Sequence, residues 1–254
     1  MCLSPVMIPN PYKGANLSAD VRKLKDCTSA YIPVPCGVCS ECIHTAQMSI
    51  MQRVLLESKV NHVFMIMLSY NEESLPIYTA PDGKRFKYAN WKHIQDMFKR
   101  IRKDNVFGSR GCRYLACSEF GGDRHRPHFH LLFFLKKFDS DDRNDILNLT
   151  KLVWNTFFRY WSVNIGSKRN PEYKPLFTYC ERLTRKGWKR NYDVQYVESE
   201  KNAAAYCTKY LLKDSDYVRR LLAAVCASWR RHLRPHCDAG SIGAHRLRYR
   251  TFQG

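Results

Sequence analysis

No apolar stretch of about eighteen residues, the length a membrane-spanning helix needs, occurs in this 254-residue chain. A charged start followed by an apolar run is missing as well, so the expectation is a soluble, cytoplasmic protein without an export signal. There is no internal repeat and no long low-complexity segment, which argues against solenoid and linker architectures. Gly-x-x-x-x-Gly-Lys-Ser/Thr is also absent, so no nucleotide-driven helicase is fused here. Acidic side chains are scarce: 23 Asp plus Glu stand against 42 Lys plus Arg, giving a formal charge of +19 and a pI of about 9.6. The natural partner of such a chain is a polyanion, with nucleic acid ahead of a membrane surface.

Cysteine, by contrast, is plentiful, at eleven residues. In a chain of this size without an export signal these are expected as reduced thiols rather than disulfides. Cys36, Cys39 and Cys42 have the two-residue spacings of a zinc knuckle, and a tetrahedral site would take its fourth ligand from Cys2, Cys27 or His44. Such a zinc would be structural, tying the N-terminal segment to the following helix.

The length suits one substantial domain with extensions. Residues 1–35 hold five prolines and little periodicity, so they are expected as an extended lead-in. Apolar residues at helical spacing predict a helix from Cys42 to Lys59, and Val63 to Ser69 reads as a central strand apolar on both faces. Tyr70 to Tyr88 reads as a polar loop. A helix capped by Asn90 follows, with Trp91, Ile94, Phe98 and Ile101 on one side and Lys99, Arg100, Arg102 and Lys103 on the other. Strands are expected over 112–119 and 128–135, then a helix starting near Asp139 or Ser140. After a basic irregular stretch come a strand from Tyr192 to Glu198 and a helix from Ser199 to Asp214. This order predicts an α+β fold, an antiparallel sheet with helices on its faces.

The strand beginning Pro127-His128-Phe129-His130 carries the first chemical signal. Residues i and i+2 of a strand share a face, so both imidazoles can aim at one ion while Phe129 is buried on the other side. Glu119 closes the preceding strand, and the Gly-rich, charged connection reads as a hairpin that brings its carboxylate beside the histidines. Two imidazoles and a carboxylate with open positions describe a catalytic divalent-metal site. Two half-buried structural histidines would show the same pattern.

The second signal is Ala205-Tyr206-Cys207-Thr208-Lys209-Tyr210-Leu211-Leu212-Lys213. Tyr206 and Tyr210 are one helical turn apart and share a face. Lys209 and Lys213 each follow a tyrosine by three positions and would favour tyrosinate or contact a phosphate, help that a phenol with a pKa near 10 needs in order to attack. An amphipathic helix packing two tyrosines onto a sheet is the bland alternative.

Cys36-Gly-Val-Cys39 with Cys42 before a helix, Phe64-Met-Ile-Met-Leu-Ser-Tyr70-Asn71, His128-Phe-His130 and Ala205-Tyr206-Cys-Thr-Lys209-Tyr210 occur in that order. Over residues 36–213 the chain resembles the HUH-superfamily rolling-circle replication initiation proteins of gokushovirus-like microviruses. Where such proteins often have Thr in the first motif, this chain has Met67 and Ser69. The resemblance implies an HUH endonuclease-like sheet of about five antiparallel strands, with the tyrosine helix opposite the metal site. It further implies Mg²⁺ or Mn²⁺ held by His128, His130 and Glu119, and nicking of single-stranded origin DNA through a 5′-phosphotyrosine on Tyr206 or Tyr210, followed by rejoining. Host helicase and polymerase would be partners, in the cytoplasm of a bacterial host. The expected organisation is a Cys-containing extension and helix (1–60), an endonuclease domain (61–214) and a basic C-terminal helix and tail (215–254).

For DNA contact, Lys99, Arg100, Arg102 and Lys103, joined by Arg110 and Arg113, and the hairpin tip with Arg124 and Arg126 are expected to line the path to the metal. A second region, 168–190, interleaves basic residues with Tyr173, Phe177, Tyr179 and Trp188, the mixture used for base stacking. A non-catalytic zinc-containing nucleic-acid-binding protein is the alternative reading. A cupin-like oxygenase lacks its further ligands at the usual spacings and would not explain the charge.

Overall fold

The computed structural model describes residues 2–203, apart from 17, 38, 122–124, 185, 186 and 200. Tyr206, Lys209, Tyr210, Lys213, Arg124 and the 215–254 tail therefore lie outside the described residues. The elements in chain order are β1 (Val6–Pro9), α1 (Ala19–Leu24), β2 (Tyr31–Val34), α2 (Ser40–Val60), β3 (Asn61–Ser69), β4 (Ile77–Thr79), β5 (Arg85–Lys87) and α3 (Trp91–Lys103). They continue with β6 (Arg113–Phe120), β7 (Pro127–Lys136), α4 (Arg143–Tyr160), β8 (Ser162–Asn164), β9 (Tyr173–Pro175), β10 (Glu181–Thr184), β11 (Gly187–Arg190) and β12 (Tyr192–Val197). The chain divides into two compact units between Ser49 and Ile50.

In the first unit, β1 and β2 form an antiparallel ribbon, Val6 opposite Val34 and Pro9 opposite Tyr31. This replaces the expected extended lead-in. Pro9 and Pro33 are tolerated because both strands of a two-stranded ribbon are edges, where a missing N–H costs no ladder bond.

The second unit is an α+β layer structure, as expected, around a four-stranded sheet of order β12-β3-β7-β6. All its neighbours are antiparallel. Among the described residues the sheet has four strands where about five were anticipated. Four two-stranded ribbons accompany the sheet. One of them, β4–β5, lies inside the expected polar loop, and its strands are too short for their alternation to be read from sequence.

Period-two alternation divides the sheet residues between two cores. Phe64, Ile66 and Leu68 of β3 with Phe129, Leu131, Phe133 and Leu135 of β7 face α3 and α4, packing on Ile94, Met97, Phe98, Ile101, Leu149, Val153 and Phe157. Val63, Cys117, Leu132 and Phe134 point the other way, onto Ile50 and Val54 of α2 and onto Ala203. Asn90 caps α3 by accepting from the Lys92 N–H. α4 begins three residues later than Asp139 or Ser140 would place it, with Asp142 and Asp145 forming a reciprocal capping box. Asp141 is unavailable as a cap because Arg110, His62 and the Phe138 N–H already engage its carboxylate.

Candidate functional site

The β6–β7 hairpin has the anticipated arrangement, and its register sets Glu119 opposite His128 and Cys117 opposite His130. Glu119, His128 and His130 share the face that carries Cys117 and Leu132. Glu119 Oε2 lies 3.0 Å from His130 Nε2 and 3.4 Å from His128 Nε2. The three donors all lie within 4.8 Å of one another, a group able to hold a metal ion. His128 is the solvent-facing member, its side chain 22% exposed against 6% for His130 and 11% for Glu119.

The backbone sets the tautomer of His128. Its Nδ1 is 3.2 Å from the Arg126 carbonyl. Because a carbonyl can only accept, Nδ1 carries the proton and Nε2 presents its lone pair toward Glu119. An outer carbonyl orienting a histidine in this way is a common feature of metal sites. The turn that makes it possible is held by Gly121 N–H to Arg126 O at 3.0 Å and His125 N–H to Gly121 O at 3.0 Å, with His125 in the left-handed region at φ 47°. Cys117 is buried beside His130, and burial pushes its thiol up to about 12, so it stays protonated and is a poor competitor as a ligand.

On the neighbouring strands, Met67 lies opposite His130 and Asp193 lies opposite Met67. Asp193 therefore adds a second carboxylate to this face, where it accepts from Gln195 Nε2 at 2.6 Å. Sequence reasoning passed over it, although the alternation of the Tyr192–Val197 strand was available to assign its face.

A second group of donors sits in the N-terminal unit. Cys2, Cys36, Cys39 and Cys42 bring their four sulfurs within 4.8 Å of one another. Of the three fourth ligands the spacing left open, Cys2 is the one in place. Backbone N–H groups of Leu3 and Cys42 hold the Cys39 thiol down to about 6.

The basic side chains divide sharply. Arg100, expected at DNA, is instead structural: its guanidinium donates to the carbonyls of Tyr160 and Ser162 at 2.7 Å each and lies 4.4 Å from the Tyr173 ring centroid. Arg126 is likewise engaged, by Glu72 and by the Tyr70 carbonyl at 2.6 Å. Arg110 forms a two-pronged pair with Asp141, and Arg113 reaches Glu57 at 3.0 Å. Lys99, Arg102 and Lys103 are exposed. They ride on α3, which packs on the sheet face opposite the Glu119–His128–His130 group, so they do not line its approach. In the 168–190 region Phe177 is a core residue, while Tyr173 and Tyr179 are exposed.

Comparison with known proteins follows the same outline. The sequence model of the replication-associated protein ORF2 family matches residues 64–215. The chain is 28% identical over 174 residues to the replication-associated protein ORF2 of Spiroplasma virus 4, covering 63% of this chain and 53% of that protein. It is 26% identical over 114 residues to the replication-associated protein ORF4 of Chlamydia phage 1, covering 44% of this chain and 26% of that protein. The matches thus span about half, or less, of these curated relatives. No solved structure matches the chain.

Proposed function

Since the chain belongs to the replication-associated protein ORF2 family, we propose that it initiates rolling-circle replication by nicking single-stranded origin DNA and rejoining it. One observation carries this reading. The Glu119, His128 and His130 donors converge on the sheet face against which Ala203 packs with no exposed surface. Tyr206 and Tyr210 follow Ala203 by three and seven residues, so in the helix expected over Ser199–Asp214 all three would share one side.

A Mg²⁺ or Mn²⁺ ion bound by His128, His130 and Glu119 would supply Lewis-acid stabilisation of the charge that builds on the phosphate oxygens. The Tyr206 or Tyr210 hydroxyl would attack phosphorus, its deprotonation favoured by Lys209 or Lys213. A phosphotyrosine bond forms, the P–O3′ bond breaks, and the departing 3′ oxygen takes a proton. Because the ester energy is retained, the 3′-hydroxyl can reverse the step without ATP. With one tyrosine joined to DNA, the other remains for the next cleavage. Exposed Lys99, Arg102 and Lys103 would contribute phosphate contacts away from the metal. Residues 61–214 would constitute the endonuclease domain and 215–254 a basic tail. The cysteine quartet, four soft donors without an open position, suits a structural Zn²⁺ rather than a catalytic ion.

The test is incubation of the full chain with oligonucleotides containing the origin and Mn²⁺, followed by mass spectrometry of any DNA–peptide adduct. An adduct on Tyr206 or Tyr210 is expected. Absence of both cleavage and adduct on substrates containing the true origin would overturn the nickase in favour of a binding protein.

A further inference from the structure

The N-terminal unit has four sulfurs converging but no hydrophobic core among its described residues. The one residue there with less than a tenth of its surface exposed is polar, Asn10, and every buried apolar residue among those described lies at Ile50 or beyond. Leu3, Val6, Met7 and Tyr31, the larger apolar side chains around its ribbon, are 47–67% exposed. A segment of fewer than about fifty residues with so little buried apolar surface needs another source of folding free energy.

The quartet has the geometry to provide it. A tetrahedron with Zn–S bonds of ~2.3 Å has edges of about 3.8 Å. Cys2 Sγ lies 3.5 Å from Cys36 Sγ and 3.8 Å from Cys39 Sγ. The Cys36 N–H points at Cys2 Sγ at 3.3 Å and the Cys39 N–H at Cys36 Sγ at 3.4 Å. Such bonds offset the excess negative charge of four thiolates on one dication. Gly37, at φ +77°, turns the chain between Cys36 and Cys39 in a conformation that favours glycine. Cys39 immediately precedes α2, and its carbonyl accepts the Ile43 N–H, so the sulfurs gather where the helix dipole favours anions.

We propose that residues 2–49 are a metal-folded module in which one tetrahedral Zn²⁺, clasped by Cys2 from the far end of the ribbon, supplies the stability that the missing core does not. This rests on reading the quartet as a zinc site, and it is independent of the nicking chemistry. Ligand binding and folding are then one equilibrium for this unit: removing the ion unfolds 2–49 and leaves the sheet of the second unit intact.

The experiment uses the full chain under reducing conditions. Metal content is measured after exhaustive dialysis, and hydrogen exchange and tryptic cleavage at Lys13, Arg22 and Lys25 are followed before and after chelation. One zinc per chain is expected, lost in Cys2→Ser and Cys36→Ser but retained in Cys27→Ser and His44→Ala. Chelation should remove protection from 2–49 while 113–136 keep theirs, and Zn²⁺ but not Mg²⁺ should restore it. Wild-type chain without stoichiometric zinc, or Cys2→Ser binding as wild type does, overturns the site itself. Stoichiometric zinc with 2–49 still protected after its removal overturns the folding role alone, and neither result bears on origin cleavage.

Discussion

Glu119 approaches His130 more closely than His128, at 3.0 Å against 3.4 Å, although the ladder pairs it with His128. His130 is its diagonal neighbour on the same face, and diagonal pairs in an antiparallel sheet are within reach of long side chains. One carboxylate can therefore serve both imidazoles, and the group depends on the register of β6 against β7 rather than on any loop.

Glu119→Gln keeps the shape of this group and removes its charge. Cleavage of origin DNA is expected to fall at least about a hundredfold with the fold retained, because the lost term acts on charge developing at phosphate. His130→Ala should behave alike while DNA binding persists. A gel assay of cleavage beside a binding assay distinguishes this from misfolding, and near-wild-type cleavage by either variant would remove the group from the mechanism.

The double variant Tyr206→Phe with Tyr210→Phe should yield no covalent DNA adduct, since phenylalanine has no oxygen to attack with. Denaturing gels of labelled oligonucleotide read this directly. Robust adduct formation by that variant would rule out both tyrosines.

Of the α3 basic residues, only the exposed ones are expected at DNA. Lys99→Ala and Lys103→Ala should each weaken binding and reduce the slope of log affinity against log salt by about one, the signature of a lost phosphate contact. Arg100→Ala should instead lower the melting temperature, because its loss strands the Tyr160 and Ser162 carbonyls. A salt-slope change for Arg100→Ala without destabilisation would reverse this assignment.

The Arg110–Asp141–His62 network predicts acid sensitivity. Hydrogen bonding from Arg110, against the cost of burial and helped by the Phe138 N–H and His62, holds the Asp141 carboxyl well below the usual range. A folded-state pKa below the unfolded one means that the stabilisation is complete above about pH 4 and is lost as pH falls from there toward the folded value. Asp141→Asn should cost on the order of 3 kcal/mol at neutral pH, as for breaking a buried ion pair. It should also flatten the decline of stability below about pH 4 in denaturant titrations. An unchanged acid profile would show that other carboxylates govern it.

Much of this was readable from local pattern. The His-x-His spacing, the Gly-rich connection and Glu119 nine residues before His128 predicted the hairpin and its shared face, because period-two alternation is a property of the backbone itself. The Asn90 cap and the apolar side of α3 were equally local. The β4–β5 ribbon was illegible because three-residue strands carry too little periodicity, and the start of α4 was displaced because Asp141 serves a distant arginine.

The sequence by itself determined the α+β order, the excess of positive charge, the two donor groups and the spacing of the tyrosines, all consequences of composition and of helical and strand periods. Tertiary structure alone decided which cysteine completes the quartet, which sheet face carries Asp193, and that Arg100, Arg110 and Arg126 are held within the protein. Those outcomes depend on where the chain returns in space, and a side chain's partner across 34 residues, as for Cys2 and Cys36, is chosen by packing that no local pattern encodes.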